Sequence, residues 1–479
     1  MWVKGRHWRA SFAVYDNLEQ THNMTVKTPV ADDFLQKSLT DVLADACAPV
    51  WNFSCSDRLE VADHARLTLF KDSLRENLHG SHKTPPNWLW PWLWRKRLVS
   101  SAFRQRIPIG FLPQEHWSEL PTANRSDLVN DLSDWVAEDV PYNQMMIYGS
   151  SGTTGHPLLI PKTPYAAALY QVALQFCFEQ HGVRPDFKSG EVGNILICAQ
   201  HHTVIYGALL STWGNSIHLK VNLHKNAWRN ESDRDLFLTK YNPPVLTGDP
   251  ISFAELLRLD LPLTPVALAS TALKLPESLK EALETRFLCP VVDFYAMNET
   301  GPIAFACPKG AGFHVFMPDL YVEVLDENGF HVADGAWGEV TVTGGGNDFL
   351  PLLRYRTGDH VQFFHGVCSC GVHLPRLVGL SGRKPVPLFH KNGARVNEAD
   401  VAKVLRYWPI VAFSLYQQLD KSIELTVRWR GDKSVVTADL VVNLKKIFGD
   451  LPITLIADRQ LGQEQKPLPF ISAFTTLAS

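Results

Sequence analysis

The chain has 479 residues, 45% of them apolar and 20% charged, with a formal net charge of −3. That length exceeds what one hydrophobic core serves, so a large domain with a smaller companion is expected. The near-neutral balance gives no electrostatic footprint for nucleic acid or an anionic membrane, eight cysteines are too sparse for a disulfide framework, and no apolar run is long enough to span a bilayer.

In chain order, residues 1 to about 45 carry no strong periodicity and read as a loosely attached extension; residues 1–9 are basic but lack a following apolar segment, so no secretory leader is expected. The protein reads as cytoplasmic, with thiols kept free or as metal ligands and a small molecule as partner. A helical-looking stretch follows, interrupted by Trp88-Leu89-Trp90-Pro91-Trp92-Leu93-Trp94 and a basic cluster. Four alternating tryptophans fit an interfacial anchor or the packing of an N-terminal subdomain, and the second is favoured because tryptophan is usually buried for its area.

Residues 145–148 and 158–160 read as the strands of a hairpin around Gly149-Ser150-Ser151-Gly152-Thr153-Thr154-Gly155-His156. Glycines accept positive φ and close approach to an anion, and hydroxyls with freed N–H groups supply donors, so the loop suits a phosphate. No Gly-x4-Gly-Lys-Ser/Thr occurs, which argues against a Walker-type NTPase. Between about 190 and 345, apolar strands at 194–198, 290–294 and 338–342 alternate with helical segments, an α/β pattern. The Gly/Lys/Pro-rich stretch 379–385 marks a boundary. Beyond it Val401, Val404, Leu405 and Trp408 share a helical face, Ile423, Leu425, Val427 and Trp429 alternate as a strand, and Leu440, Leu444, Ile447 and Phe448 mark a second helix. With strands near 410–416 and 452–457 this makes a compact α+β domain, so the units are 1–380 and 381–479.

Three further segments join the hydroxyl-rich loop. Asp293-Phe294-Tyr295-Ala296-Met297-Asn298-Glu299-Thr300-Gly301 runs from a strand into a turn that presents an aromatic and a carboxylate. The others are Pro351-Leu352-Leu353-Arg354-Tyr355-Arg356-Thr357-Gly358-Asp359 and Gly382-Arg383 with Lys391-Asn392-Gly393. In this order and spacing they resemble the adenylate-forming superfamily of acyl-CoA synthetases and ligases, most closely its phenylacetate-CoA ligase branch, over about residues 47–470. Segments 120–128, Thr247-Gly248-Asp249-Pro250 and Gly312-Phe313-His314-Val315 fit the same branch.

The resemblance implies an α/β fold: a large N-terminal domain of stacked β-sheets with flanking helices, and a small mobile α+β C-terminal domain. It implies attack of a carboxylate on the α-phosphate of ATP to give an acyl-adenylate and pyrophosphate, chemistry that needs positioning and charge neutralisation more than proton transfer. Ser150, Ser151, Gly152, Thr153, Thr154 and Gly155 would hold phosphates, with His156 beside them. Glu299 would hold Mg²⁺, a hard cation that takes oxygen ligands. Asp293, Phe294, Tyr295, Ala296 and Asn298 would line the nucleotide, Tyr295 against adenine. Asp359 would accept the ribose hydroxyls, and Arg383 would reach ribose or phosphate. Lys466 would be the mobile C-terminal lysine that acts during adenylation. The acyl group then passes to an acceptor, CoA by the resemblance; an amine, hydroxyl or carrier-protein thiol is the alternative, and a catalytically weak nucleotide or acyl-adenylate sensor is the alternative of another class. A homodimer stands as the candidate assembly.

His201, His202, Tyr206, Trp213 and Ala296 fall where the family lines its acyl pocket, and they suggest an aromatic acid with a hydrogen-bonding substituent. Cys368 and Cys370, with Cys307 and His314, can form a closed structural zinc site if their two loops meet. Cys47, Cys55, Cys177, Cys198 and Cys289 read as core. The chain departs from the family pattern at Ala296 (usually glycine), at Asn298 (commonly a hydroxyl residue), at His156 (frequently lysine) and at Gln465 (usually glycine). Lys384-Pro385 stands where an acidic hinge is common, and the fixed φ of proline bears on domain rotation and so on the thioester half-reaction.

Overall fold

The computed structural model describes residues 33–78, 85–149, 158–200, 203–382, 386–396, 401–402, 404–405, 408–430, 437–462 and 468–474. The large unit contains, in order, α1 (Asp33–Leu43), β1 (Phe53–Ser56), α2 (Val61–Asn77), α3 (Leu89–Val99), β2 (Met146–Gly149), β3 (Leu159–Lys162), α4 (Pro164–Gln180), β4 (Val192–Cys198), β5 (Tyr206–Leu210) and β6 (Ser216–Asn222). It continues through α5 (Glu231–Tyr241), β7 (Val245–Gly248), α6 (Pro250–Leu259), β8 (Ala267–Ser270), α7 (Glu277–Phe287), β9 (Val291–Met297), β10 (Gly301–Ala306), β11 (Phe313–Val315), β12 (Leu320–Leu325), β13 (Trp337–Gly344), β14 (Leu352–Phe364) and β15 (Arg376–Gly382). The C-terminal unit carries β16 (Leu388–Phe389), β17 (Arg395–Val396), β18 (Ile410–Gln417), β19 (Ile423–Trp429), α8 (Thr437–Phe448), β20 (Ile453–Ala457) and β21 (Phe470–Ser472).

Thirteen strands hydrogen-bond in the order β1-β5-β6-β4-β7-β8-β9-β10-β11-β15-β14-β13-β12. Strands β6, β4, β7, β8 and β9 pair in parallel and are covered on both faces, as parallel sheets require. On one face Ile195, Ile197, Leu246, Leu268 and Val291 share a core with α5, α6 and α7; on the other, Val245, Ala267, Ala269, Val292 and Phe294 pack with α4. After Met297 the chain doubles back, and the antiparallel β9–β10 pair, with a register shift between Pro302 and Ala304, joins the parallel half to an antiparallel half. Helix starts follow from sequence. Thr163 caps α4 by accepting the Ala166 N–H, Asp249 caps α6 by accepting the Ser252 N–H, and each is followed by a proline in the first turn.

Two expectations need correction. Residues 33–43, inside the stretch read as a loose extension, form α1, whose Leu35, Leu39 and Val42 are buried in the core beside β4 and β6. The tryptophan run lies within α3 instead of interrupting a helix, and Trp88, Trp90, Trp92 and Trp94 are half-buried against the main core, Trp90 edge-on to Trp117 and Trp92 edge-on to Phe103.

The C-terminal unit has its own four-stranded sheet, β20-β19-β18-β21, over a core of Leu415, Leu425, Val427, Leu440, Leu444 and Phe448. It meets the large unit at α6 and α7: Val411 and Ala412 enter their core, the Ser278 hydroxyl donates to the Trp408 carbonyl at 2.8 Å, and Arg430 donates to the Ser278 carbonyl at 3.0 Å. No described helix is long and apolar enough to cross a membrane.

Candidate active site

The two longest sequence motifs are tied together by reciprocal hydrogen bonds. The turn from β9 to β10, closed by Gly301 at φ +79°, buries the Glu299 carboxylate to 5% exposure, and Tyr355 of β14 donates its hydroxyl to Glu299 Oε1 at 2.9 Å. In the other direction Tyr295 of β9 donates its hydroxyl to Asp359 Oδ2 of β14 at 2.8 Å. Burial and the Asp359 charge hold Tyr295 protonated, well above the usual phenol range. Tyr295 is thus fixed by its hydroxyl as well as by its ring, and one oxygen of Asp359 is oriented before any ligand arrives.

The backbone around Asp359 is clamped as well. Glu339 accepts the Gly358 N–H at 2.9 Å on Oε1 and the Arg356 guanidinium at 2.7 Å on Oε2. Thr357 donates to the Val340 carbonyl at 2.9 Å and accepts the Asp359 N–H at 3.1 Å. Arg354, 1% exposed and at φ +42°, donates to the carbonyls of Ser118, Leu120 and Gly329 and pairs with buried Glu323 at 3.3 Å. A buried charge persists only when paired and hydrogen-bonded, and here that network ties β14 to the helical segment before it. Ala296 and Asn298 flank the Glu299 turn, half-buried and exposed, whereas Phe294 is buried in the core. Asp293 faces elsewhere: its carboxyl accepts the Leu275 N–H, and burial pushes it up to about 7 against that bond.

The predicted hairpin forms, with β2 and β3 antiparallel and Gly149 opposite Leu159. Ser150, Ser151, Gly152, Thr153, Thr154, Gly155 and His156 lie outside the described residues, as do His201, His202, Arg383, Lys384, Pro385, Gln465 and Lys466. Sequence reasoning missed Lys162, at the end of β3. It is 4% exposed, and burial lowers its ammonium to about 8 although Glu299 pulls the other way. The missed signal was a lysine continuing the alternation of Leu158 and Ile160, at a position that faces the core. Tyr355 and Glu339 were missed too, since neither residue type announces a partner 56 or 17–19 residues away.

The structure does not bring Tyr206 and Trp213 together. Tyr206, at the start of β5, stacks on Phe53 at 5.0 Å and lies 5.8 Å from the His218 ring. Trp213 lies past the end of β5, buried flat against Phe187 at 4.5 Å with its indole N–H given to the Gln171 carbonyl, which makes it a packing residue. His218 was not anticipated. Its Nδ1 accepts from Asn194 at 2.8 Å, which leaves the proton on Nε2, and burial lowers it to about 4, so the ring is neutral.

The Cys/His loops do meet. Cys307 and His314 belong to the β10–β11 hairpin; Cys368 and Cys370 sit in a turn between β14 and β15; and β11 pairs with β15, His314 opposite Arg376. Both turns are tight: Gly310 donates to the Cys307 carbonyl and Gly371 to the Cys368 carbonyl, each at 2.9 Å with the glycine at positive φ. All four ligand atoms lie within 4.8 Å of one another, with Cys307 Sγ to Cys368 Sγ at 3.7 Å and Cys370 Sγ to His314 Nε2 at 3.2 Å. A tetrahedral zinc ion with Zn–S of about 2.3 Å sets S···S edges of about 3.8 Å, so the donor set fits. Burial acts to raise the Cys368 thiol, but hydrogen bonds from the Cys370 backbone and neighbouring thiols bring it down to about 7; burial drives His314 down to about 4, the neutral form a metal needs. All eight cysteines are free. Cys177 and Cys198 are buried as expected, but Cys55 is exposed on the edge strand β1, and Cys47 and Cys289 are half-buried.

The fold is that of the adenylate-forming ligases. A 2-hydroxyisobutyryl-CoA ligase solved in the postadenylation state with a bound acyl-adenylate superposes with a TM-score of 0.58 at 16% identity, covering 86% of this chain and 90% of that one. The same ligase with 2-hydroxyisobutyryl-AMP gives 0.57 at 17% identity with the same coverage. The chain belongs to the AMP-binding enzyme family, whose profile matches residues 108–347. Among curated proteins it is 24% identical to Protein CapK of Staphylococcus aureus over 261 residues, 51% of this chain and 54% of that protein. It is also 24% identical to the phenylacetate-coenzyme A ligase of Thermus thermophilus over 347 residues, 66% of this chain and 74% of that one. The chain thus spans about half the length of the first of these relatives.

Proposed function

We propose that the protein activates a small, aromatic carboxylic acid with ATP as an acyl-adenylate and passes the acyl group to the thiol of CoA. The observation that carries this reading is the reciprocal pair Tyr355–Glu299 and Tyr295–Asp359, because it holds in one frame the two carboxylates that would bind the metal and the ribose. Glu299 fits a magnesium ion, which binds through one or two carboxylates and completes its shell with phosphate oxygens and water; the ion would neutralise charge on the phosphates. The chain's own part is positional. Tyr295 and Asp359 would fix the nucleoside, Tyr355 fixes Glu299, and the hydroxyl-rich residues between β2 and β3 would donate to the phosphates, so that the acid's carboxylate meets the α-phosphorus in line. Bond formation there expels pyrophosphate; thiol attack on the acyl carbonyl then expels AMP.

Two observations support an acid with a hydrogen-bonding substituent: Tyr206 is aromatic, and the neutral His218 ring 5.8 Å from it carries an Nε2 proton that could donate. The Cys307, His314, Cys368 and Cys370 set would hold one structural zinc ion away from the chemistry. We take residues 381–479 as the moving lid that separates the two half-reactions.

The test is acid-dependent exchange of labelled pyrophosphate into ATP across benzoic, phenylacetic, hydroxy- and aminobenzoic and fatty acids, without CoA. Exchange with one aromatic acid, lost in Glu299→Ala and Asp359→Ala, is the expected result. Exchange only with fatty acids would overturn the aromatic assignment, and an unchanged rate in either variant would overturn the site.

A further inference from the structure

The lysine at the end of β3 has no role in the mechanism above, and its surroundings are unusual. Lys162 enters the interior because it continues the buried positions Leu158 and Ile160, and its ammonium lies over the rings of Tyr148 at 5.0 Å and Tyr170 at 4.6 Å. Among the described residues it donates one hydrogen bond, to the Tyr170 hydroxyl at 3.4 Å; Tyr170 in turn donates to the Met297 carbonyl, two residues before Glu299. Among the described residues Lys162 has no carboxylate at ion-pair distance, and Glu299 reaches it only as a longer-range attraction. Ring faces and one long hydrogen bond soften the loss of water but do not neutralise a buried cation.

The charge inventory points to the missing anion. Glu299 is a buried carboxylate, and on the ligase reading it would repel a nearby polyphosphate unless a cation balances it. Lys162 supplies an opposite charge on the strand leaving the hydroxyl-rich loop, in a loop whose usual lysine position holds His156. We propose that Lys162 is a ligand of the ATP phosphates, held in place by Tyr148 and Tyr170 and completed electrostatically only when the nucleotide binds. The proposal rests on the ligase reading.

The test uses the full chain and needs no knowledge of the acid: calorimetric binding of ATP with magnesium, and of adenosine, to the wild type, Lys162→Met and Lys162→Arg, each first checked for folding by circular dichroism. Lys162→Met is expected to weaken ATP about 10- to 100-fold, the value of a charge-assisted contact, and to leave adenosine unchanged; Lys162→Arg should recover most of the ATP affinity. If methionine prevents folding, Lys162→Gln carries the same comparison. Equal ATP affinity in wild type and Lys162→Met, or equal weakening of ATP and adenosine, overturns the proposal while leaving the ligase reading intact. A wild type that binds neither ligand removes both.

Discussion

Replacing Tyr355 by phenylalanine isolates one bond on which the site's architecture depends. Tyr355 is 1% exposed, Glu299 is 5% exposed, and the hydroxyl and carboxylate oxygens lie 2.9 Å apart. A hydrogen bond to a charged group contributes about 1.5–3 kcal/mol, and removing the donor leaves a desolvated carboxylate oxygen without a partner. Tyr355→Phe is therefore expected to lower the unfolding free energy of the large unit by about 2–3 kcal/mol, with no volume change to confuse the result. In a Glu299→Gln background the acceptor is neutral, and the same substitution should cost only about 1 kcal/mol. The double-mutant cycle then gives a coupling of about 1–2 kcal/mol. Urea unfolding followed by tryptophan fluorescence measures it, the tryptophans of α3 and Trp117 reporting on the large unit. A coupling below about 0.5 kcal/mol, the level seen for independent sites, would show that the two groups do not meet and would remove the frame on which the functional reading stands.

Three further outcomes are expected. Protein purified without added metal should carry about one equivalent of zinc by elemental analysis, and Cys368→Ser with Cys370→Ser should abolish it and lower the melting temperature; metal-free wild type of equal stability would refute the site. Burial lifts Asp293 to about 7 from an unfolded value near 3.9, so the folded state keeps a proton that the unfolded chain releases between those values. The stabilisation from this carboxyl is complete below about pH 4 and is lost as pH rises to about 7, amounting to at most about 4 kcal/mol; Asp293→Asn should flatten that slope, and an unchanged slope by denaturant titration would refute the burial argument. Gly312→Ala puts a methyl 2.6 Å from the Leu377 carbonyl oxygen at φ +94°, so it should destabilise the β11–β15 pairing and reduce zinc retention; full retention would show that the two turns are not rigidly coupled.

Local signals in the sequence were legible where a short segment decides its own structure. The β2–β3 hairpin and the strands at 410–417, 423–429 and 453–457 follow from their period. Helix α1 was missed although Leu35, Leu39 and Val42 recur at helical spacing, because what buries that face is a set of strands about 150 residues further on. The unbroken thirteen-strand order was hidden for the same reason: pairings such as β11–β15 join segments some sixty residues apart, and no local pattern encodes them.

The site shows the same division, with a consequence for reading motifs. Residue types at Glu299, Asp359 and the Cys/His turns marked them as candidates, but the bonds Tyr355–Glu299 and Tyr295–Asp359 span 56 and 64 residues and exist only once β9 and β14 are assembled. Trp213, grouped with Tyr206 by spacing, packs on Phe187 because β5 carries the two to opposite ends. The loop proposed to hold phosphate is the sharpest case. Its departure at His156 reads in sequence as a lost cation, because a motif assigns charge to a position. A phosphate responds to where the charge is in space, and β3 delivers an ammonium to the Glu299 turn from six residues beyond His156. The alternation of Leu158, Ile160 and Lys162 makes that delivery geometric, since moving the lysine by one residue would turn it to the opposite face of the hairpin.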